Sequence, residues 1–135
     1  MNGPEFKVLR ESLGLSAGWL ANAWGLRGER AIRRWEDGTD PVPARRADFL
    51  LNLEAQAEAL TDVMLDDILD QAGLDDLEQV EDLDESVWPV VSVPRVDADV
   101  PGGVLPASFF RAIAARVRWE TGGHLWMKYD QPGKP

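Results

Sequence analysis

Glycines at 14, 25 and 38 cut the first forty residues into three short segments, each with apolar residues at helical spacing. A glycine just past the last periodic residue stops a helix, because it takes the left-handed conformation with no Cβ penalty. The first segment predicts a helix from Pro4 to about Leu13. Phe6, Leu9 and Leu13 form its stripe and Pro4 suits its opening turn. Ser16 is a candidate N-cap for a second helix over 17–24, with Leu20, Ala23 and Trp24 on one side; position 19 is Trp, so the capping-box glutamate is missing. The third segment, roughly 28–37, places Gly28, Ala31, Ile32 and Trp35 on one face at about 100° per residue. Arg30, Arg33, Arg34 and Asp37 fall on the opposite face. Helices this short are marginal in isolation, so they must pack on one another.

Asp40-Pro41-Val42-Pro43 is a rigid connection, and Pro43 opens a long helix with apolar or small residues at Leu50, Leu53, Ala57, Leu60 and Met64, continuing to Ile68 and Leu69. Phe49 and Val63 widen that stripe. The helix can extend to Gln71 before Gly73 stops it, with a bend or break expected at such length. Residues 74–86, LDDLEQVEDLDES, space Leu74, Leu77, Val80 and Leu83 by three and read either as a short helix or as a solvated linker. Val87–Val96 reads as a strand region that Pro89 and Pro94 confine to an edge or an irregular path. Gly102-Gly103 marks a turn. Phe110, Ile113, Ala114 and Val117 predict a helix over about 107–120, ended by Gly122-Gly123. Leu125, Met127 and Tyr129 then alternate with His124, Trp126 and Lys128 as a last strand. The fold class expected is mainly α: a helix-turn-helix head of four to five helices at 1–70, an acidic linker or short helix at 71–85, and a small α+β region at 86–130 serving dimerisation.

The net charge of −10 argues at first against nucleic acid, since DNA binding draws on Lys and Arg facing phosphate. Its distribution reverses that. Residues 1–50 carry 8 basic and 7 acidic side chains, net +1; residues 51–99 carry 1 and 15, net −14; residues 100–135 carry 5 and 2, net +3. The acidity belongs to the middle, and what matters for a binding surface is which face holds the arginines. With no Cys and a single His, His124, the chain offers no disulfide, thiolate nucleophile or His-rich metal cluster. No apolar run long enough to span a membrane and no signal-peptide pattern occurs, so a cytoplasmic protein with no membrane association is expected.

Carboxylate pairs at Asp66/Asp70 and Glu54/Glu58, and the group Asp62, Asp66 and Asp67, have no His, Cys or Lys beside them and read as a solvated helix face. Ser16 reads as a cap and His124 as edge structure. No glycine-rich phosphate loop is present, so neither an enzyme nor a cofactor is expected. The span 9–38, by contrast, is two short helices about a tight turn, the second presenting arginines outward, which is how a protein reaches into the major groove of double-stranded DNA. Arg30 and Arg33, nearer the helix start, are the candidates for base contact; Arg27, Arg34, Arg45 and Arg46 are candidates for the phosphate backbone. Ile32 and Trp35 read as core. Trp19 has three readings: packed on the fourth helix, lying against the DNA backbone, or partly exposed. A protein-interaction module, antitoxin-like or an adaptor, using the acidic middle against a basic partner is the alternative function.

The stretch V8-L-R-E-S-L-G-L-S-A-G-W-L-A-N-A-W-G-L, followed by I32-R-R-W-E-D-G, resembles the Cro/repressor-type (XRE) helix-turn-helix family over residues 5–55. The resemblance implies that Leu20-Ala21 and Gly25 shape the turn and that Ile32 and Trp35 pack the recognition helix. It also implies Gly28, Glu29, Arg30 and Arg33 as base-contact positions, and a structural ion pair between Arg10 and Glu36. Two departures stand out. Six residues separate Gly25 from Ile32 where the common form has five, and Gly28 occupies a position where Ser or Thr is usual. The longer turn, the Pro-Val-Pro opening of a long helix and the helix-plus-strand C-terminal region are similar to the anti-CRISPR-associated regulators. That similarity implies a homodimeric transcriptional repressor on an inverted-repeat operator, with a dimerising C-terminal part. Phe109, Phe110, Val117 and Trp126 are candidates for the dimer surface.

Overall fold

The computed structural model describes residues 1–130. Among them are five α-helices, α1 (Gly3–Ser12), α2 (Ala17–Ala23), α3 (Arg30–Glu36), α4 (Ala44–Ala72) and α5 (Ala107–Glu120), and two short strands, β1 (Val90–Val93) and β2 (Trp126–Tyr129). The protein is therefore mainly helical with a small β element. It divides into two compact units, Met1–Ala57 and Glu58 onward. The division falls inside α4, earlier than the boundary near residue 70 read from the sequence. The later turns of that helix supply apolar side chains to the second core.

The glycine stops work by one device. After α1, Gly14 adopts φ 69° and its N–H bonds Glu11 O at 3.0 Å, while Leu15 N–H bonds Arg10 O at 3.1 Å. The same paired bonds close α2 at Gly25, α4 at Gly73 and α5 at Gly122, each satisfying carbonyls that a helix end leaves orphaned. At the other end of α1, Asn2 caps the helix: its side chain accepts from Glu5 N–H at 2.8 Å and the Glu5 carboxylate accepts from Asn2 N–H at 3.2 Å.

In the first unit, Phe6, Leu13, Leu15, Leu20, Ile32 and Leu50 are almost fully buried. Gly3 is buried because α1 starts against the end of α3: a Cβ there would overlap the carbonyl oxygen of Trp35 and lie 2.5 Å from that of Glu36. Helix propensity alone says Gly3→Ala should stabilise by about 1 kcal/mol. The clash is with backbone, which cannot rotate away, so the variant is expected to be less stable by about 1–3 kcal/mol. Chemical denaturation at constant m-value checks the sign.

α4 runs for 29 residues without interruption, so the expected bend or break does not occur in its secondary structure. Its buried positions are Ala47, Leu50, Leu53, Ala57, Thr61, Leu65 and Ile68. Leu60, expected in the stripe, is exposed. Steps of four from Ala57 carry the face through Thr61 and Leu65 instead.

The second unit packs Leu65, Ile68, Val80, Val91, Val93, Ala114, Val117 and Leu125 into one core. The acidic stretch is part of it. Leu77–Asp82 forms a 3₁₀ helix capped by Asp76, Val80 is fully buried, and Leu74, Leu77 and Leu83 pack against the core while the carboxylates face outward. β1 and β2 pair parallel across the α5 crossover, with Val90 opposite Trp126 and Val93 opposite Tyr129. Phe109 and Val117, read as dimer-surface candidates, are sealed inside this unit; Phe110 is half-buried and Trp126 exposed. Among the described residues no helix is long and apolar enough to cross a membrane.

Candidate nucleic-acid interface

The α2–turn–α3 geometry begins with Ser16, whose Oγ accepts from Trp19 N–H at 2.9 Å and fixes the start of α2. Trp19 itself is half-buried. At the far end Gly25, with φ 67°, lets Leu26 N–H return to Ala21 O at 2.8 Å, so the chain reverses within two residues of the helix. Leu20 and Ala21 are buried beneath this turn. Leu26 to Glu29 then lead into α3.

α3 is held from one side and from one end. Ile32 is fully buried and Trp35 nearly so, which presses one face into the core. At the C-terminal end, Glu36 accepts from Arg10 Nε at 2.8 Å and Nη2 at 3.1 Å, and Arg10 Nη1 donates to Leu15 O at 2.9 Å. The two side chains are only 9% and 6% exposed. One guanidinium therefore joins the end of α1, the turn after it and the end of α3. Arg34 donates to Asp40 at 2.7 and 3.3 Å, bracing the same end against the connection to α4. The hydrogen bond and the opposite charge hold the Asp40 carboxyl below its ordinary range and raise the Arg34 guanidinium. The N-terminal end carries no such fixture: Glu29 sits at the N-cap in helical conformation and makes no capping bond.

The outward residues occupy that unfixed end. Arg30 and Arg33 are exposed, as are Arg27 and Gly28 just ahead of the helix. Glu29 accepts from Arg33 Nη2 at 2.6 Å, with both side chains open to solvent, and its carboxylate lies against Gly18, where a Cβ would come within 2.9 Å. A shallow cavity of about 300 Å³, lined in part by Arg27, Gly28, Arg30 and Arg34, indents the surface beside them. No atom approaches within 4 Å of a Cβ built on Gly28, so the backbone there is open to a close-approaching ligand.

The backbone-contact candidates separate into two kinds. Among the described residues Arg27 and Arg45 make no ion pair. Arg34 is engaged by Asp40, and the Arg46 guanidinium lies 4.4 Å from the ring centroid of Trp24, where burial, with a smaller contribution from Arg45, pushes it below its ordinary value. Trp24 is the hub of an aromatic cluster: its ring meets Phe6 at 6.4 Å, Trp35 at 6.2 Å and Phe49 at 5.3 Å. Gly3, Asn2, Asp40 and the Arg46–Trp24 stack escape a reading of the sequence, because each depends on which segments meet in space. Among the described residues no group of His, Cys, Asp and Glu could hold a metal ion. No protein-family model matches the chain, and a search among curated proteins finds no match.

Proposed function

We propose that the first unit reads double-stranded DNA through the start of α3, and that the protein is a sequence-specific transcriptional regulator of the cytoplasm, a repressor that occupies an inverted-repeat operator as a homodimer. The observation carrying this reading is the pair Arg30 and Arg33, exposed on a seven-residue helix whose opposite face is locked by Ile32 and Trp35. A guanidinium fork matches guanine O6 and N7, and a short helix standing clear of its domain can enter the major groove. Arg30, which makes no ion pair among the described residues, is the leading base contact. Arg33 must exchange Glu29 for a base, and Glu29 is then free to accept from cytosine N4. Gly28 allows the backbone to approach, while Arg27 and Arg45 meet phosphate. Arg34 and Arg46 serve the phosphate role only by leaving Asp40 and the face of Trp24, so their weight in binding is smaller.

Selection from a random double-stranded pool with the full-length protein tests the proposal. Enrichment of an inverted repeat is expected. Arg30→Ala should then relax preference at one position per half-site, costing about 1–3 kcal/mol against the best sequence, roughly fivefold to 150-fold. Arg27→Ala should instead weaken binding to all sequences evenly and reduce the salt slope by about 1. No enrichment by a folded protein overturns the reading. The net −14 over residues 51–99, with its carboxylates on the surface, would then point to a protein-interaction module with a basic partner.

A further inference from the structure

The first unit carries an apolar groove built from residues that the DNA reading does not use. On α1 the buried stripe is Phe6 and Leu9, continued by Leu13, and Val8 falls outside it, 69% exposed. On α4, Leu51 lies beside the buried Leu50 and Leu53 yet is 48% exposed. The fold brings these two outliers together. With Met1 and Pro4 they wall a cavity of about 460 Å³ over the buried Leu9. Two carboxylates, Glu5 and Glu54, line the same cavity, and no Lys or Arg does. Glu5 uses one oxygen to accept from Asn2 N–H. Glu54 is half-buried and makes no ion pair among the described residues.

We propose that this groove docks a basic amphipathic helix of a protein partner. Contiguous apolar surface rimmed by polar groups is what a docking site leaves uncovered in the free protein. The carboxylates decide the charge of the occupant. They repel phosphate, which sets nucleic acid aside, and a half-buried carboxylate that loses more of its water on docking needs a cation from the partner. The walls decide its conformation. Both are helices whose backbone groups are bonded internally, so an extended segment would find no ladder here. A helix brings its own backbone already satisfied and lays side chains into the groove. The wall from Pro4 to Ser12 is two turns long, about 12 Å, which matches apolar residues at i, i+4 and i+7 with Lys or Arg beside them. The contact is distinct from a basic partner drawn to the acidic middle at large, because Val8 and Leu51 hold the helix and the carboxylates only orient it. It goes beyond the DNA reading and does not depend on it.

The probe is a synthetic lysine-rich helical peptide with leucines at i, i+4 and i+7, titrated into the full chain at physiological ionic strength. Its control is an isomer of the same composition with the leucines scattered round the helix, since net charge alone attracts both equally. The faced peptide is expected to bind at least tenfold more tightly than the isomer and to shift the backbone amide resonances of Val8, Ser12, Leu51 and Glu54. Val8→Gln with Leu51→Gln, both at exposed positions and both tolerated by a helix, should abolish that preference with unchanged circular dichroism. Glu54→Gln should weaken the faced peptide severalfold and flatten its salt dependence. Glu54→Lys should reverse the preference toward a peptide carrying glutamates in place of lysines. Equal binding of the two isomers by the unaltered chain overturns the proposal, as does no binding up to millimolar peptide. A preference that survives the double substitution overturns it too. The DNA reading fails separately: the groove variants should select the same DNA sequence as the unaltered chain, and a chain that binds the faced peptide but selects no DNA counts against that reading alone.

Discussion

Glu36→Ala is expected to destabilise the first unit by about 3–5 kcal/mol, because it leaves the Arg10 guanidinium buried without its counter-charge. The melting temperature of a unit this small should fall by roughly 12–40 °C for a change of that size. The loss arises less from the attraction of the pair than from the desolvated cation that remains, so restoring an apolar interior should recover much of it. The double substitution Arg10→Met with Glu36→Leu is therefore expected to be more stable than Glu36→Ala, with Leu15 O as the one acceptor left unpartnered. Tryptophan fluorescence during guanidinium unfolding reads both, since Trp24 and Trp35 lie in this unit. A Glu36→Ala cost below about 1 kcal/mol would mean that the pair behaves as a solvated surface bridge. The proposed DNA-reading surface should fail in step, because Glu36 is the last residue of α3 and its loss releases the helix from α1.

Trp24→Ala is expected to cost about 3–5 kcal/mol, since the indole touches Phe6, Trp35 and Phe49 and carries Arg46 on its face. Trp24→Phe should cost under about 1.5 kcal/mol. Its Nε1 is buried and, among the described residues, has no hydrogen-bond partner, so a phenyl ring removes a donor that contributes nothing. The two variants together separate ring packing from hydrogen bonding, by their denaturation midpoints at equal m-values. A Trp24→Phe cost equal to that of Trp24→Ala would show that the indole nitrogen is bonded after all.

These features differ in how far the sequence announces them. The stops at Gly14, Gly25, Gly38, Gly73 and Gly122 are local: a stripe ends, a glycine follows, and the left-handed cap satisfies carbonyls already in the same turn. α5 and the burial of Ile32 and Trp35 are legible for the same reason, through periodicity. Gly3, by contrast, looks like an undistinguished residue before a proline, and only the approach of α3 makes its missing Cβ necessary. Gln71 looks like one more polar helix residue, and only the position of Val90 turns its amide into a strand substitute. The acidic stretch is ambiguous in sequence because leucines spaced by three fit both a weak helix and a linker; burial of Val80 decides it, and burial is a tertiary fact. At the candidate interface the arginine face was legible as a face, but not the partners that divide it: Glu29 for Arg33, Asp40 for Arg34 and Trp24 for Arg46.

The uneven anchoring of α3 has a kinetic and entropic consequence. Its last turn is clamped by Arg10, Asp40 and the aromatic cluster, while its first turn has no capping bond. Amide exchange along seven residues should therefore run from slow at Glu36 to fast at Arg30, whose amide precedes the first bond of the helix, Arg33 N–H to Glu29 O. On the proposed DNA reading, a loose leading turn would meet many base pairs in succession without opening of the core and would become ordered only on the right sequence, so the entropy lost on specific binding would be confined to a few residues at the tip.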